Sequence, residues 1–126
     1  MNKILVFYIV FYCLSIVLNS RNNVESVEIL LSQKNGQICY DGDTCYITIN
    51  GKEERLRLRD INCPEINDFN GIKARDYTIE MLTSAKTIKF INIGRDKYNR
   101  VLANILVDNK DLSTLLVSEG LAREWK

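Results

Sequence analysis

Within residues 54–60, Glu-Arg-Leu-Arg-Leu-Arg-Asp, charged and apolar side chains alternate without a break from Arg55 to Arg59. A period of two is the repeat of an extended strand and excludes a helix across this stretch. Leu56 and Leu58 fall on one face, and Arg55, Arg57 and Arg59 on the other, so one face is made to be covered and one to stay polar. Just upstream, residues 45–49 alternate as well and run into Asn50-Gly51, a dipeptide suited to a two-residue hairpin turn. A β-hairpin is thus fixed near the centre of the chain, and the rest must be built around a sheet.

Residues 26–31 and 37–40 read as further strand. Over residues 71–85 the period changes: Ala74, Tyr77, Met81 and Ala85 recur at three- and four-residue steps, as one face of an amphipathic helix does. Residues 86–93 and 100–107 read as strands joined by the charged loop 94–99. Asp111 is placed to cap a last helix carrying Leu112, Leu115 and Leu116, with Gly120 near its end. Three strands, a helix, two strands and a helix fit an α+β, mainly β domain: a five-stranded Greek-key barrel of the oligonucleotide/oligosaccharide-binding (OB) type, with one helix between strands 3 and 4 and one at the C-terminus. Periodicity alone leaves other small α+β folds open. The chain's 126 residues allow one domain with one modest core, placed at residues 24–126.

Residues 1–20 stand apart. A short basic start, Met1-Asn2-Lys3, precedes an uncharged apolar run from residue 4 to residue 18, the pattern of a secretory signal peptide. Cleavage is expected near Asn19-Ser20, and the product is expected to be secreted or periplasmic. The alternative is an uncleaved membrane tether through residues 4–18, although the run is short for a full span. Cys13 follows Tyr12 rather than a small residue, which argues against a lipid-modified cysteine.

Without residues 1–20 the chain loses one of its 17 basic residues and none of its 16 acidic ones, leaving a neutral domain. Binding of nucleic acid by bulk charge is thereby excluded, and any phosphate contact must be local. Histidine is absent, which removes histidine general bases, Ser-His triads and histidine-ligated zinc. Chemistry is left to carboxylates, arginines, lysines, tyrosines or a metal held by oxygen. Cys39, Cys45 and Cys63 have no zinc-site spacing. Cys39 and Cys45 flank the turn 41–44 on strands expected to pair, so they are either a short cross-turn disulfide or two small buried apolar side chains.

Four short stretches hold the candidate chemistry, and each has an ordinary structural account. Asp41-Gly42-Asp43-Thr44 reads as a turn; a calcium loop of the EF-hand type fails, since Tyr46 stands at the glycine position and Lys52 at the bidentate glutamate. The arginine row reads as a solvated strand face, Asn62-Cys63-Pro64-Glu65 as a strand exit, and residues 95–100 as a charged loop. Together they offer more: carboxylates on two turns can hold a hard cation, guanidiniums can grip phosphate, and a spare glutamate can orient water.

"YDGDT" (40–44), "RLRDINCPE" (57–65) and "DKYNRVLA" (96–103), followed by "VSEGLA" (117–122), resemble the staphylococcal nuclease, or thermonuclease, family over about residues 37–123. The resemblance implies the same five-stranded barrel, bound Ca2+ and a DNA or RNA substrate. By position it implies Asp43 and Asn62 as metal ligands with the backbone carbonyl of Cys63, and Glu65 as the residue that activates water. It further implies Arg57 and Arg100 as catalytic arginines, and Lys97 and Tyr98 as phosphate contacts. The expected product is an exported calcium-dependent endonuclease leaving 3′-phosphates, monomeric and without a stable protein partner. Its alternatives are a catalytically weak module of the same fold that binds nucleic acid or a protein, and a tethered structural domain. Asn62 stands where the family usually has aspartate, so weakened metal binding is expected. The sequence stops at Lys126, where the family continues into a further helix with stacking aromatics; Trp125 either replaces that platform or covers core, and core is the expectation.

Overall fold

A computed structural model describes residues 28–125, so the apolar leader and residues 26–27 of the first expected strand lie outside the described residues. The first half holds β1 (Ile29–Leu31), β2 (Cys39–Asp41), β3 (Thr44–Ile49), β4 (Lys52–Leu58), β5 (Ile61–Asn62) and the helix α1 (Phe69–Ser84). The second half holds β6 (Ile88–Arg95), β7 (Val101–Val107), β8 (Lys110–Asp111), α2 (Leu112–Ser118) and β9 (Arg123–Glu124).

Asn50 and Gly51 adopt φ of 49° and 81°, the left-handed pair of a type I′ turn, and β3 and β4 run back from it with Thr44 opposite Arg57. The main sheet follows the order β1-β3-β4-β7-β6, with β2 on β3 and β8 on β7. Along this path every pairing is antiparallel except β4 with β7, which sets Leu56 opposite Val101 and Arg57 opposite Leu102. In chain order α1 falls between the third and fourth of these five strands, as the element pattern predicts. The sheet curls as a half-barrel of OB type.

Alternation puts Ile47, Leu56 and Leu58 inward, where they meet Val101, Ala103, Ile105 and Val107 of β7 and Leu112 and Leu116 of α2. Asp68 caps α1 by accepting from Asn70 N–H at 2.8 Å, and Asp111 caps α2 by accepting from Thr114 N–H at 3.2 Å.

Three expectations need correction. The buried face of α1 is Gly71, Ala74, Thr78 and Leu82, whereas Tyr77, Met81 and Ala85 flank it half-buried. Apolar periodicity misses this rotation because one buried position is a threonine. The arginine row also does not share one face. Pairing stops at Leu58, Asp60 turns with φ 68°, and Arg59 leaves to donate from Nε to the carbonyl of Asn92 at 2.6 Å. Finally, Trp125 is not core: its side chain is 62% exposed, because β9 pairs at the surface with β5 and Trp125 N–H donates to Asp60 O at 2.7 Å.

Candidate active site

Gly42, at the tip of the turn between β2 and β3, lies against α1 and the β5 exit. A methyl group placed on it would come within 2.7 Å of the Ala74 side chain and 2.8 Å of Cys63 Sγ, so nothing larger than glycine fits. Its carbonyl accepts the buried Thr78 hydroxyl at 2.7 Å. Asp41 Oδ1 accepts from Asp43 N–H at 3.1 Å, folding the turn on itself. Cys39 and Cys45 are register partners at its base and are joined by a disulfide.

The turn aims Asp43 inward. Asp43 is buried, and its Oδ2 accepts from Cys63 N–H at 2.7 Å and lies 3.4 Å from the Arg57 guanidinium. Arg57 is anchored from several sides: it donates to Leu58 O at 2.7 Å, to Ile61 O at 2.8 Å and to Asn62 Oδ1. One guanidinium therefore stitches the end of β4, the strand β5 and the acidic turn together. Its Nε and part of Nη1 are left for a ligand, since the fork has five donors.

Asp41 is the acidic residue to which the sequence reading gave no role. Burial, together with the hydrogen bond and charge of Asp43, pushes its carboxyl up to about 7. Two carboxylates this close resist both being charged unless a cation lies beside them. Cys63 is a free, half-buried thiol pushed up to about 12 by burial and then by the charges of Asp43 and Asp41, which keep it protonated. Asp60 opens onto a separate cavity beside Trp125 and cannot substitute for Asn62.

Glu65 follows Pro64 and is exposed. Its carbonyl accepts from Asp68 N–H at 2.9 Å, and the first turn of α1 presses on it so closely that a methyl on Gly71 would lie 1.9 Å from that oxygen. Gly71 thus sets the helix against the Glu65 backbone, which sequence reading treats only as a helix start.

Arg100 stands at the foot of β7. Its Nε donates to Asp96 Oδ2 at 2.7 Å, and Asp96 Oδ1 accepts from the backbone N–H groups of Tyr98 and Arg100 at 2.9 Å. Burial opposes the charge on Asp96, but these hydrogen bonds and the Arg100 charge outweigh it and hold the carboxyl below its usual range.

A cavity of about 980 Å³ gathers these groups: Asp41, Asp43, Arg57, Asn62, Glu65 and Arg100 all line it, and so does Cys63. Lys97 and Tyr98 do not line it. The Tyr98 ring instead lies beside Lys97 Nζ at 5.1 Å and the Arg100 guanidinium at 5.3 Å, touching the site through Arg100.

Among the described residues, no three side chains of histidine, cysteine, aspartate or glutamate gather as a metal cluster. The cavity nevertheless offers two opposed carboxylates and an amide oxygen, an all-oxygen set that suits a hard cation and no soft one. It is short of charge for tight binding, and Asn62 already shares its oxygen with Arg57.

Comparison with known proteins agrees with this geometry. Residues 55–126 match the family model described as "Staphylococcal nuclease homologue". Endonuclease YncB of Bacillus subtilis (strain 168) is 33% identical over 113 residues, covering 83% of this chain and 51% of the relative. A thermonuclease of Staphylococcus intermedius is 33% identical over 90 residues, 66% of this chain and 54% of the relative. An uncharacterized endonuclease of Haemophilus influenzae is 30% identical over 87 residues, with 68% and 48% covered. The chain spans about half the length of these relatives. With a family model matched over more than half of its residues, the chain belongs to the staphylococcal nuclease family.

Proposed function

We propose that this chain is an exported, calcium-dependent endonuclease that hydrolyses phosphodiester bonds of DNA or RNA and leaves 3′-phosphate ends. The observation that carries this reading is the one cavity lined together by Asp41, Asp43, Glu65, Arg57 and Arg100, which come from separate elements. The names of its relatives, endonuclease and thermonuclease, support the same chemistry.

The phosphate enters between Arg57 and Arg100. Arg57 comes pre-aimed by its bonds to Leu58, Ile61 and Asn62, and Arg100 by Asp96, so neither reorganises when charge builds on the phosphate oxygens. Glu65 orients a water for in-line attack on phosphorus and accepts its proton; Arg100 steadies the departing 5′-oxygen. The residues that would hold calcium are Asp43, Asn62 and the carbonyl of Cys63, with Asp41 supporting Asp43. Calcium, when bound, supplies positive charge that neutralises the phosphate. Export is supported by the apolar residues 4–18 and by the Cys39–Cys45 disulfide, which belongs in an oxidising compartment.

A second reading, a weakly catalytic binding module, draws on the neutral Asn62. Incubating the purified chain with DNA and with RNA, in calcium or in chelator, decides between them. Calcium-dependent cleavage with 3′-phosphate ends supports the nuclease; binding without cleavage supports the module.

A further inference from the structure

Tyr40 lies in β2 between two fixed neighbours. Cys39 is fully buried and disulfide-bonded, and Asp41 is tied into the acidic turn. Alternation along the strand turns the Tyr40 ring away from the core, and it lines the 980 Å³ cavity while remaining 47% exposed. The other large exposed aromatics are placed or used differently. Tyr98 is beside Lys97 and Arg100, Phe69 carries Lys73 Nζ at 5.8 Å, and Trp125 belongs to a separate cavity. Among the described residues, Tyr40 is the exposed aromatic in the wall of this cavity, and no cation covers its ring.

Arg55 lines the same cavity, is exposed and makes no ion pair among the described residues. It lies two residues before Arg57 on the same face of β4, roughly 7 Å along the strand. That step is comparable to the distance between successive phosphates of an extended nucleic-acid strand.

We propose that Tyr40 and Arg55 form a subsite for the nucleotide next to the scissile phosphate, Tyr40 stacking on its base and Arg55 taking its phosphate. The proposal rests on the nuclease reading and adds to it two residues of this chain that grip an unpaired nucleotide. A base within a duplex is stacked between its neighbours and cannot offer a free face to the tyrosine without being unpaired. Every base has such a face, so the subsite adds affinity without reading sequence. A chain with a formal net charge of only +1 has little long-range attraction to draw on, and such a local contact is how it can still hold a strand.

The test uses the full chain and a single-stranded oligonucleotide cut at one place, with an abasic residue walked through the positions around the cut. For the wild type, one abasic position raises KM by roughly 5- to 150-fold, the range of a single base–aromatic stack. Tyr40→Ala raises KM on the intact oligonucleotide by the same factor, and the abasic residue then adds nothing. Tyr40→Phe and Tyr40→Trp keep the wild-type pattern, and Arg55→Gln reduces the salt dependence of KM by about one phosphate contact. An unchanged KM for Tyr40→Ala overturns the proposal, as does an abasic effect that multiplies with it. If the wild type cuts nothing in calcium, the nuclease reading fails separately. The same series is then read as binding by fluorescence anisotropy, where loss of the coupling again overturns the subsite.

Discussion

The hydroxyl of Thr78 reaches from the middle of α1 to the carbonyl oxygen of Gly42 at 2.7 Å, so the helix and the acidic turn are one mechanical piece. Thr78→Val keeps the shape and leaves that buried carbonyl without its partner, at a cost of about 1–3 kcal/mol. Thermal melting is expected to fall by several degrees, and cleavage to drop as Asp43 loses its backing. Thr78→Ser, which keeps the donor, restores both. Equal melting temperatures for the valine variant and the wild type would show that the bond carries no load.

Glu65 has the opposite profile, exposed and bound to the fold mainly through its backbone. Glu65→Gln is therefore expected to melt like the wild type while turnover falls by roughly two to four decades, with KM little changed. Steady-state kinetics beside a melting curve separate the two effects, and near-full activity removes Glu65 from the mechanism.

Asn62 divides its oxygen between Arg57 and the proposed cation. Restoring a carboxylate with Asn62→Asp is expected to lower the calcium needed for half-maximal activity by about tenfold, equivalent to about 1.4 kcal/mol. Asp43→Asn is expected to abolish calcium-dependent cleavage. A calcium titration of the three proteins is the measurement; an unchanged midpoint for Asn62→Asp assigns that side chain to Arg57 alone.

Much of this was legible in the chain. Strict alternation around Asn50-Gly51 predicts β3 and β4, and Asp111 predicts the cap of α2. What escapes are contacts that leave no periodic trace. Thr78 is buried for its hydroxyl rather than for apolarity, and β5 and β9 are too short to show a period. Arg59 parts from Arg55 and Arg57 because the strand stops at Leu58, a boundary that alternation through Arg59 conceals. The site shows the same division. The motif residues 43, 57, 62, 63, 65 and 100 meet in one cavity, whereas the roles of Asp41, Gly71 and Asp96 depend on neighbours distant in sequence or on backbone geometry.

Asp96 offers a pH test. Its carboxyl is held below the usual range in the folded protein, so it stabilises the fold above its unfolded pKa. That contribution is lost as pH falls through the lowered folded value. Asp96→Asn is expected to be less stable than the wild type at neutral pH, with the two denaturation curves converging in acid below the normal aspartate range. Turnover of the variant is also expected to drop, by about ten- to a hundredfold, because Arg100 loses its aim. Unchanged turnover would mean that Arg100 finds its place without Asp96.

The parallel pairing of β4 with β7 has a consequence for how the molecule acquires activity. Arg57 arrives on the first hairpin and Arg100 at the foot of a strand in the second, and they share a cavity only where Leu56 lies opposite Val101. Each hairpin can form from local contacts, but joining them requires closing the long loop that contains α1. A partly folded chain with both hairpins intact and that seam open would hold its arginines apart and be catalytically silent. On the nuclease reading, activity is accordingly a late-maturing property that requires the two halves to dock.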